Sequence, residues 1–233
     1  MYSFTAEEFE QLRIKKLYKK TNQAWNDSGI NHPKNVGYLM NHIGNLRPQN
    51  YEEWEEYFYT NILSKNALLQ SAKKFRKFVL KDLGDYPDFD YSKLSDKCYY
   101  KMVVCRLIYE TWIGYFAEEE TKKLLVLELF KDNFEIGVKQ LSPEDDNKYA
   151  VDFLIYYNGV LICGMQVKSV NYEKSETPIL LKTKETNHKK NQMFSKEFGV
   201  PVQYVYYERK SPDEYEIANL DIVSVIEKML LTA

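Results

Sequence analysis

The stretch YAVDFLIYYNGVLICGMQVKSV, residues 149–170, contains two β-type runs joined by Asn158-Gly159. An Asn-Gly pair between two such runs predicts a β-hairpin, because both residues tolerate the positive φ angles of a tight turn. The hairpin is mainly apolar, yet Asp152 stands where it begins, and Gln166 and Lys168 stand where it finishes. Packing alone does not explain these polar ends, so the three residues are the first candidates for a functional site.

The loop of the hairpin decides whether the three polar side chains share a face. Gln166 and Lys168 point the same way because side chains alternate along a strand. A two-residue loop, Asn158-Gly159, places Asp152 on the opposite face. A three-residue loop that also includes Tyr157, with Gly159 left-handed in a G1 bulge, places Asp152 on the same face. If the three residues act together, we therefore expect the bulged loop.

The chemistry of these side chains suits a magnesium-dependent reaction. A carboxylate from Asp152 and an amide oxygen from Gln166 can hold Mg²⁺, which prefers oxygen ligands and keeps waters that a phosphate can replace. Lys168 can position the attacking water and offset the charge that develops on the phosphate. Gly164 leaves room for a close approach of backbone, ligand or metal. The alternative is a hairpin whose polar ends simply emerge into solvent.

Asp152 followed by Gln166-Val167-Lys168 resembles the PD-(D/E)XK nuclease motif. The resemblance implies a restriction-endonuclease-like core, Mg²⁺ as cofactor, and hydrolysis of DNA to 5′-phosphate and 3′-hydroxyl ends. Gln166 departs from the motif, which more often has Glu or Asp there, although some type II restriction enzymes of this superfamily use Gln. An amide carries no charge, so metal affinity would depend more on Asp152 and on a further carboxylate.

Nucleases of this superfamily often add a Glu from the helix before the Asp strand. In the segment MVVCRLIYETWIGYFAEEETKKLL, Glu119 lies on an apolar helical face. That face is formed by Ile108, Trp112, Tyr115 and Phe116. Glu110 is the second candidate, and the alternative for either is a surface or salt-bridged helix residue. We expect Glu119 to be the further catalytic residue and metal ligand.

Three segments in order, GINHPKNVGYLMNHI, YEEWEEYFYTN and TWIGYFAEEETKKLL, resemble a family of small type II restriction endonucleases that cut CTAG. The resemblance covers roughly residues 20–170. The third segment supports Glu119 or its neighbour Glu120 as the helix carboxylate. The family's usual Thr-Arg before the Pro is here Asn31-His32, which puts the target sequence in doubt.

The first 130 residues are mainly helical by pattern, and the last hundred are mixed. Thr5 and Glu8 form a capping-box pattern for a helix to about Lys20. Further helices are predicted at 36–43, 51–83, 97–127 and 221–231, the last capped by Asp221, and strands at 134–138, 151–157, 160–168 and 200–207.

We therefore predict an α/β (α+β) fold. A PD-(D/E)XK core at 98–233 would have a mixed central sheet flanked by helices. A mainly helical region at 1–97, for DNA recognition or dimerisation, would join it in one compact unit.

The segment LLKTKETNHKKNQ after the catalytic strand carries a local excess of positive charge. Its candidate contacts to DNA phosphates are Lys182, Lys184, His188, Lys189 and Lys190. For base readout, the loops offer Asn31, His32, Lys34 and Arg47. The alternative for both sets is an ordinary solvated surface.

The composition of the chain excludes some classes of function and favours one cellular location. Lys and Arg number 32 against 34 Asp and Glu, which argues against a generally basic nucleic-acid-binding protein but not against a local basic groove. The glycines form neither GxGxxG nor GxxxxGK, so a nucleotide cofactor is not supported. Three sparse cysteines and the lack of a long apolar run lead us to expect a cytoplasmic protein without membrane association.

The sequence therefore predicts a type II restriction endonuclease that cuts double-stranded DNA at a short palindromic site, and a palindrome favours a homodimer. Two rival hypotheses remain open. One is a structure-selective nuclease of resolvase type on the same fold, although such proteins tend to be shorter and more basic. The other is a non-catalytic DNA-binding protein, which Gln166 keeps open.

Overall fold

The computed structural model describes residues 2–83, 89–130, 136–211 and 214–231. The chain divides into two compact units, Met1–Tyr115 and Phe116–Ala233, and the division falls inside a single long helix. The expected boundary between residues 97 and 98, and the expectation that both parts form one compact unit, remain predictions.

The described part of the first unit is built from helices and their connections. The helices are α1 (Ala6–Arg13), α2 (Lys16–Lys20), α3 (Asn22–Ser28), α4 (Pro33–Val36), α5 (Leu39–Leu46), α6 (Tyr51–Asn61), α7 (Lys65–Leu83), α8 (Asp96–Val104) and α9 (Glu110–Phe130). A short 3₁₀ helix covers Tyr91–Lys93, and a π-helical turn, Cys105–Tyr109, joins α8 to α9.

Local signals explain where these helices begin, and the structure breaks three predicted helices into pieces. Thr5 and Glu8 form the predicted capping box, but α1 ends at Arg13 and a second helix follows. The predicted helix 51–83 is interrupted at residues 62–64, where the hydroxyl of Ser64 accepts from a backbone N–H and starts α7. The predicted helix 97–127 contains the π-helical turn, which shifts the phase of every side chain after it.

The first unit has its own apolar core. Its buried side chains include Trp54, Phe58, Leu68, Phe75 and Val79. The indole N–H of Trp54 donates to the carbonyl oxygen of Ile108 at 3.0 Å, so the polar atom of this fully buried ring is satisfied.

The described part of the second unit contains a mixed five-stranded sheet. Its strands are β1 (Ile136–Gln140), β2 (Phe153–Tyr157), β3 (Val160–Ser169), β4 (Val202–Ser211) and β5 (Glu214–Ile217), in that spatial order. All neighbours are antiparallel except β3 and β4, which are parallel and connected through α11 (Val170–Lys174) and α12 (Pro178–Phe198). Residues 134–135 of the first predicted strand lie outside the described residues, and β5 was not predicted.

The turn of the hairpin differs from the expected one. Tyr157 faces Val160, so the loop has two residues, Asn158 and Gly159, with φ angles of 48° and 77°. These positive values are those of a type I′ turn, which an Asn-Gly pair favours. The expected three-residue loop is therefore wrong.

A β-bulge inside the hairpin makes the change of face that the loop was expected to make. Ile155 faces Cys163 while Tyr156 faces Leu161, so Ile162 has no partner in the register. One extra residue reverses the alternation on one side of the bulge. Asp152 consequently comes to the same face as Gln166 and Lys168.

Each face of the sheet is covered by a different layer. One face packs Phe153, Ile155 and Met165 with the apolar side of α13 (Asp221–Leu230) and with Leu125 and Leu129 of α9. The opposite face packs a smaller cluster, Tyr149, Val151, Leu154 and Phe194, against α12. The polar hairpin residues lie on this second face, because Leu154 pairs with Gly164, two residues before Gln166.

Gly164 is required by packing. A Cβ at this position would lie 2.9 Å from Cγ1 of Val151 and 3.0 Å from a ring carbon of Phe194. We expect Gly164→Ala to lower the free energy of unfolding by about 1–3 kcal/mol through overpacking, measured by urea denaturation. Gly137→Ala is the matched control, since its Cβ would make an ordinary 3.6 Å contact. Equal stability of the two variants would contradict this account of Gly164.

Two further observations concern the helices. Asp221 is not the N-cap of α13; Leu220 occupies that position and makes no side-chain capping bond, so the predicted cap is wrong.

Among the described residues, no helix combines the length and apolar character needed to span a membrane.

Candidate active site

Asp152 is held by the strand it faces. It lies just before β2, and its Oδ2 accepts from the backbone N–H of Val167 at 2.5 Å. The same oxygen is 3.9 Å from Nζ of Lys168. Asp152 and Lys168 are half-buried, with side chains 11% and 23% exposed, so the ion pair is reached by solvent only in part.

Gln166 lies beside this pair but is almost completely buried, with 2% of its surface exposed. It faces Tyr204 across the parallel β3–β4 register, as Lys168 faces Tyr206. Asn191 of α12 is also buried, at 6% exposure, and its amide approaches that of Gln166 to 3.3 Å. Gln166 therefore stands at the end of the hairpin, as predicted, and is buried there.

Glu118 supplies a carboxylate that sequence reasoning missed. Burial raises the pKa of Glu118 well above its usual range, and the negative charge of nearby Asp152 raises it further, while Lys168 lowers it. Glu118 is half-buried in α9 and is therefore electrostatically coupled to the two polar ends of the hairpin.

The phase of α9 explains why Glu118 was missed. In the second unit the buried stripe of this helix consists of small and aliphatic residues: Ala117, Thr121, Leu125 and Leu129. At about 100° per residue, Glu118 falls within this stripe, whereas Glu119 and Glu120 fall well outside it. The prediction used the aromatic residues that precede the stripe, which indicate a different face. The small residues Ala117 and Thr121 were the signal that could have identified Glu118.

Asp146 is the second missed carboxylate. It lies in α10 (Pro143–Tyr149), which begins at the N-cap Ser142 and ends just before β2. Burial, the charge of Asp152 and a hydrogen bond to Asp152 together raise the pKa of Asp146 to about 7. The segment Ser-Pro-Glu-Asp-Asp is a helix-start pattern and could have indicated α10, but nothing local indicates that Asp146 faces Asp152.

The charges of all three carboxylates act on Lys168. Burial lowers its pKa, but the charges of Asp152, Glu118 and Asp146 outweigh burial and raise the pKa above its usual range. Lys168 therefore stays protonated at neutral pH. Three carboxyl groups around one ammonium leave an excess of negative charge at this end of the hairpin when all of them are ionised.

The three Glu candidates from the sequence have other partners. Glu119 forms an ion pair with Lys122 at 2.6 Å, and Glu120 forms one with Lys123. Glu110 lies in the first unit, where it accepts from the hydroxyl of Tyr18 at 2.9 Å. The structure thus brings together Asp152, Gln166 and Lys168, and it places Glu118 where Glu119 was expected.

The predicted phosphate contacts lie on α12 and form two groups. Lys182, His188 and Lys189 are exposed, although Lys189 pairs with Glu185. Lys184 and Lys190 are half-buried and donate to backbone carbonyl oxygens of Glu173 and Ser175 and of Asn147, respectively. The second group therefore has competing partners in the protein.

The predicted base-reading residues lie in the first unit and are exposed. These residues are Asn31, His32, Lys34 and Arg47. His32 caps α4 by accepting from the backbone N–H of Lys34 at 3.2 Å, and Arg47 ends α5 in a left-handed conformation with a φ of 52°.

The acidic cluster predicts a pH dependence of stability for the metal-free protein. Because folding raises the pKa of Asp146 from 3.8 to about 7, the folded state binds this proton more tightly, and the associated stability is lost as the pH rises through this interval. We expect Asp146→Asn to be more stable than the wild type at pH 8 and to lose most of that advantage at pH 5, measured by thermal unfolding in EDTA. Glu144→Gln, on an exposed neighbour, is the control. A pH-independent difference would contradict the assignment.

The donor atoms of the cluster have the chemistry of a cation site, without a complete set of ligands in place. Among the residues that the structure describes, no three His, Cys, Asp or Glu side chains are arranged to hold a metal ion. The negative charge of Asp152 nevertheless raises the pKa values of both Glu118 and Asp146, and a bound cation would offset this repulsion.

Comparison of the chain with known proteins identifies the family to which it belongs. A family model described as MjaI restriction endonuclease matches residues 21–220, which include most of both units and all the residues of the acidic cluster. No curated protein matches the chain, and no solved structure does. A restriction endonuclease is a nuclease whose substrate is DNA, and a mixed sheet flanked by helices agrees with the fold expected for one. The chain belongs to the MjaI restriction endonuclease family.

Proposed function

We propose that the protein is a type II restriction endonuclease that hydrolyses phosphodiester bonds in both strands of DNA at a short palindromic site in a Mg²⁺-dependent reaction. The observation that carries the proposal is the cluster at the end of the hairpin. There, Asp152 pairs with the half-buried Lys168 and the charges of Glu118 and Asp146 act on the same lysine, in a chain of the restriction endonuclease family. Hydrolysis would leave 5′-phosphate and 3′-hydroxyl ends.

The donor set supports Mg²⁺ as the cofactor. Asp152 and Glu118 would bind the ion through carboxylate oxygens, with Glu118 taking the place first given to Glu119, and Gln166 would contribute its amide oxygen. The raised pKa of Glu118 supports this role, because a divalent cation would relieve the repulsion and desolvation that cause it. When bound, Mg²⁺ supplies positive charge that stabilises the developing negative charge on the phosphate.

Lys168 acts as a fixed positive charge in this proposal. Its raised pKa means that it does not take a proton from water at neutral pH. Instead it would donate hydrogen bonds to the attacking water or to the phosphate oxygens as negative charge develops on them. Asp152, 3.9 Å away, holds the ammonium group in place.

Each unit carries exposed groups that would contact DNA. Lys182, His188 and Lys189 would contact phosphates, with Lys184 and Lys190 contributing only if they leave their backbone partners. Asn31, His32, Arg47 and Lys34, which lies in α4 and not in the predicted loop, would contact bases or the backbone from the first unit. A CTAG target follows from the sequence resemblance alone, and the Asn31-His32 departure makes another target an open alternative.

The test is digestion of phage DNA with and without Mg²⁺. We expect discrete fragments in Mg²⁺, identical 5′-phosphorylated ends after sequencing, and no cleavage in EDTA. Sedimentation of the protein with an oligonucleotide of the resulting site would then show two chains per duplex. Cleavage confined to branched DNA would favour a structure-selective nuclease, and binding without cleavage would favour a non-catalytic protein; either result contradicts the proposal.

A further inference from the structure

Asn191 forms a buried hydrogen-bond network next to Gln166. It has no role in the proposed function described above. Both amides are nearly inaccessible to solvent, and their closest terminal atoms are 3.3 Å apart. Each amide has a nitrogen end that only donates and an oxygen end that only accepts. The contact is therefore favourable only if one residue presents nitrogen and the other presents oxygen.

The backbone decides the orientation of Asn191. One end of its amide lies 2.9 Å from the carbonyl oxygen of Tyr149 and 3.0 Å from that of Ala150. Carbonyl oxygens cannot donate, so this end must be the nitrogen. The other end is then the oxygen, and it accepts from the hydroxyl of Tyr204 at 2.7 Å. The reverse orientation would set an oxygen against three carbonyl oxygens, those of Tyr149, Ala150 and Asn187.

The orientation of the Asn191 amide determines the orientation of the Gln166 amide. The end of Asn191 that faces Gln166 is the same end that meets Tyr204, and so it is the oxygen. Gln166 must therefore donate from its amide nitrogen to this oxygen. Its own amide oxygen then points away from Asn191. We propose that Asn191 is a positioning residue that makes the oxygen of Gln166, and not the nitrogen, the atom offered to a cation. This inference rests on the proposed role of Gln166 as a metal ligand.

The inference explains how an amide can serve at a position where a carboxylate is more usual. A Glu has two equivalent oxygens and presents one of them in either orientation. A Gln presents an oxygen in only one of its two orientations, and the other would place a donor against the cation. A chain with Gln at this position therefore needs a partner that selects the orientation, and groups behind a metal ligand commonly do this.

The orientation can be read directly in the metal-free protein. Neutron diffraction from deuterated crystals grown in EDTA locates the deuterons of both amides. We expect the two deuterons of Gln166 on the terminal atom nearest Asn191, and those of Asn191 toward the carbonyls of Tyr149 and Ala150. Deuterons on the opposite end of Gln166 would overturn the inference, whatever the enzyme does to DNA.

Variants test the consequence for metal binding. We expect Asn191→Leu to raise the Mg²⁺ concentration for half-maximal cleavage about tenfold or more, and to weaken Mg²⁺ binding measured by calorimetry without DNA. Asn219→Leu is the matched control, because the Asn219 amide also bonds the backbone, at Tyr204 and Tyr206, on the same sheet. It should lower stability without changing the affinity for Mg²⁺.

A second substitution separates positioning from a loss of structure. In the Asn191→Leu background, Gln166→Glu should restore Mg²⁺ affinity to the wild-type level or better, because a carboxylate needs no orientation. Unchanged Mg²⁺ affinity in folded Asn191→Leu, or failure of Gln166→Glu to restore it, would overturn the inference. A wild-type protein that neither binds Mg²⁺ nor cuts DNA would instead overturn the proposed function, and the neutron result would still decide the orientation.

Discussion

Lys168→Ala is expected to slow cleavage by at least about 10²-fold while leaving DNA binding intact. Removing one charged group that stabilises the transition state typically costs about 10²–10³-fold in rate, and here the group is the cation among three carboxyl groups. The measurement is the single-turnover rate of cleavage of phage DNA at saturating enzyme and Mg²⁺. Binding is measured in parallel by fluorescence anisotropy with a duplex in EDTA.

The control for this prediction is another lysine that pairs with two carboxylates. Lys210 on β4 lies 2.8 Å from Glu208 and 2.6 Å from Glu216, and it stands outside the cluster. We expect Lys210→Ala to cut within about twofold of the wild-type rate, since exposed ion pairs contribute little. Lys168→Met, which keeps an unbranched side chain without the charge, should behave as Lys168→Ala. Wild-type cleavage by either Lys168 variant would show that the site is elsewhere.

Glu118→Gln is expected to change activity and stability in opposite directions. The substitution removes a carboxylate proposed to bind Mg²⁺, so the cleavage rate at limiting Mg²⁺ should fall by about 10²-fold. It also removes a charge that burial and Asp152 disfavour, so the metal-free protein should unfold at a higher temperature. The measurements are the Mg²⁺ dependence of cleavage and the Tm in EDTA at pH 8.

Glu119→Gln is the matched control, because the two residues are adjacent and the chemical change is identical. It breaks a half-buried ion pair with Lys122, so stability should fall by about 1 kcal/mol or less, and cleavage should stay within a few-fold of wild type. The two variants therefore differ in the sign of the stability change as well as in activity. A large loss of activity in Glu119→Gln, with little in Glu118→Gln, would return the assignment to the residue first expected.

The secondary structure was predictable where a local signal and tertiary packing agree. The capping box at Thr5, the Asn158-Gly159 turn and the alternating strands beside it are local features, and all of them are present. The breaks within the long helices were not predicted, because a π-helical turn such as Cys105–Tyr109 leaves no clear mark in hydrophobic spacing.

The candidate site was predictable only along the hairpin. Asp152, Gln166 and Lys168 are separated by fixed numbers of strand residues, so alternation was enough to ask whether they share a face. Glu118 and Asp146 come from two separate helices, and their approach to Asp152 depends on how those helices pack on the sheet. No local pattern reports this, and the prediction of Glu119 used a different face of α9.

The sequence by itself determined that a polar group ends an apolar Asn-Gly hairpin in a mixed α/β chain, because turn chemistry and strand alternation are properties of neighbouring residues. Tertiary structure decided three other matters. A bulge at Ile162, not the turn, brings Asp152 to the face of Gln166. The packing of α9 and α10 selects the partner carboxylates, and α12 places Asn191 behind Gln166. Each depends on contacts between residues distant in the chain, whose geometry only the folded core fixes.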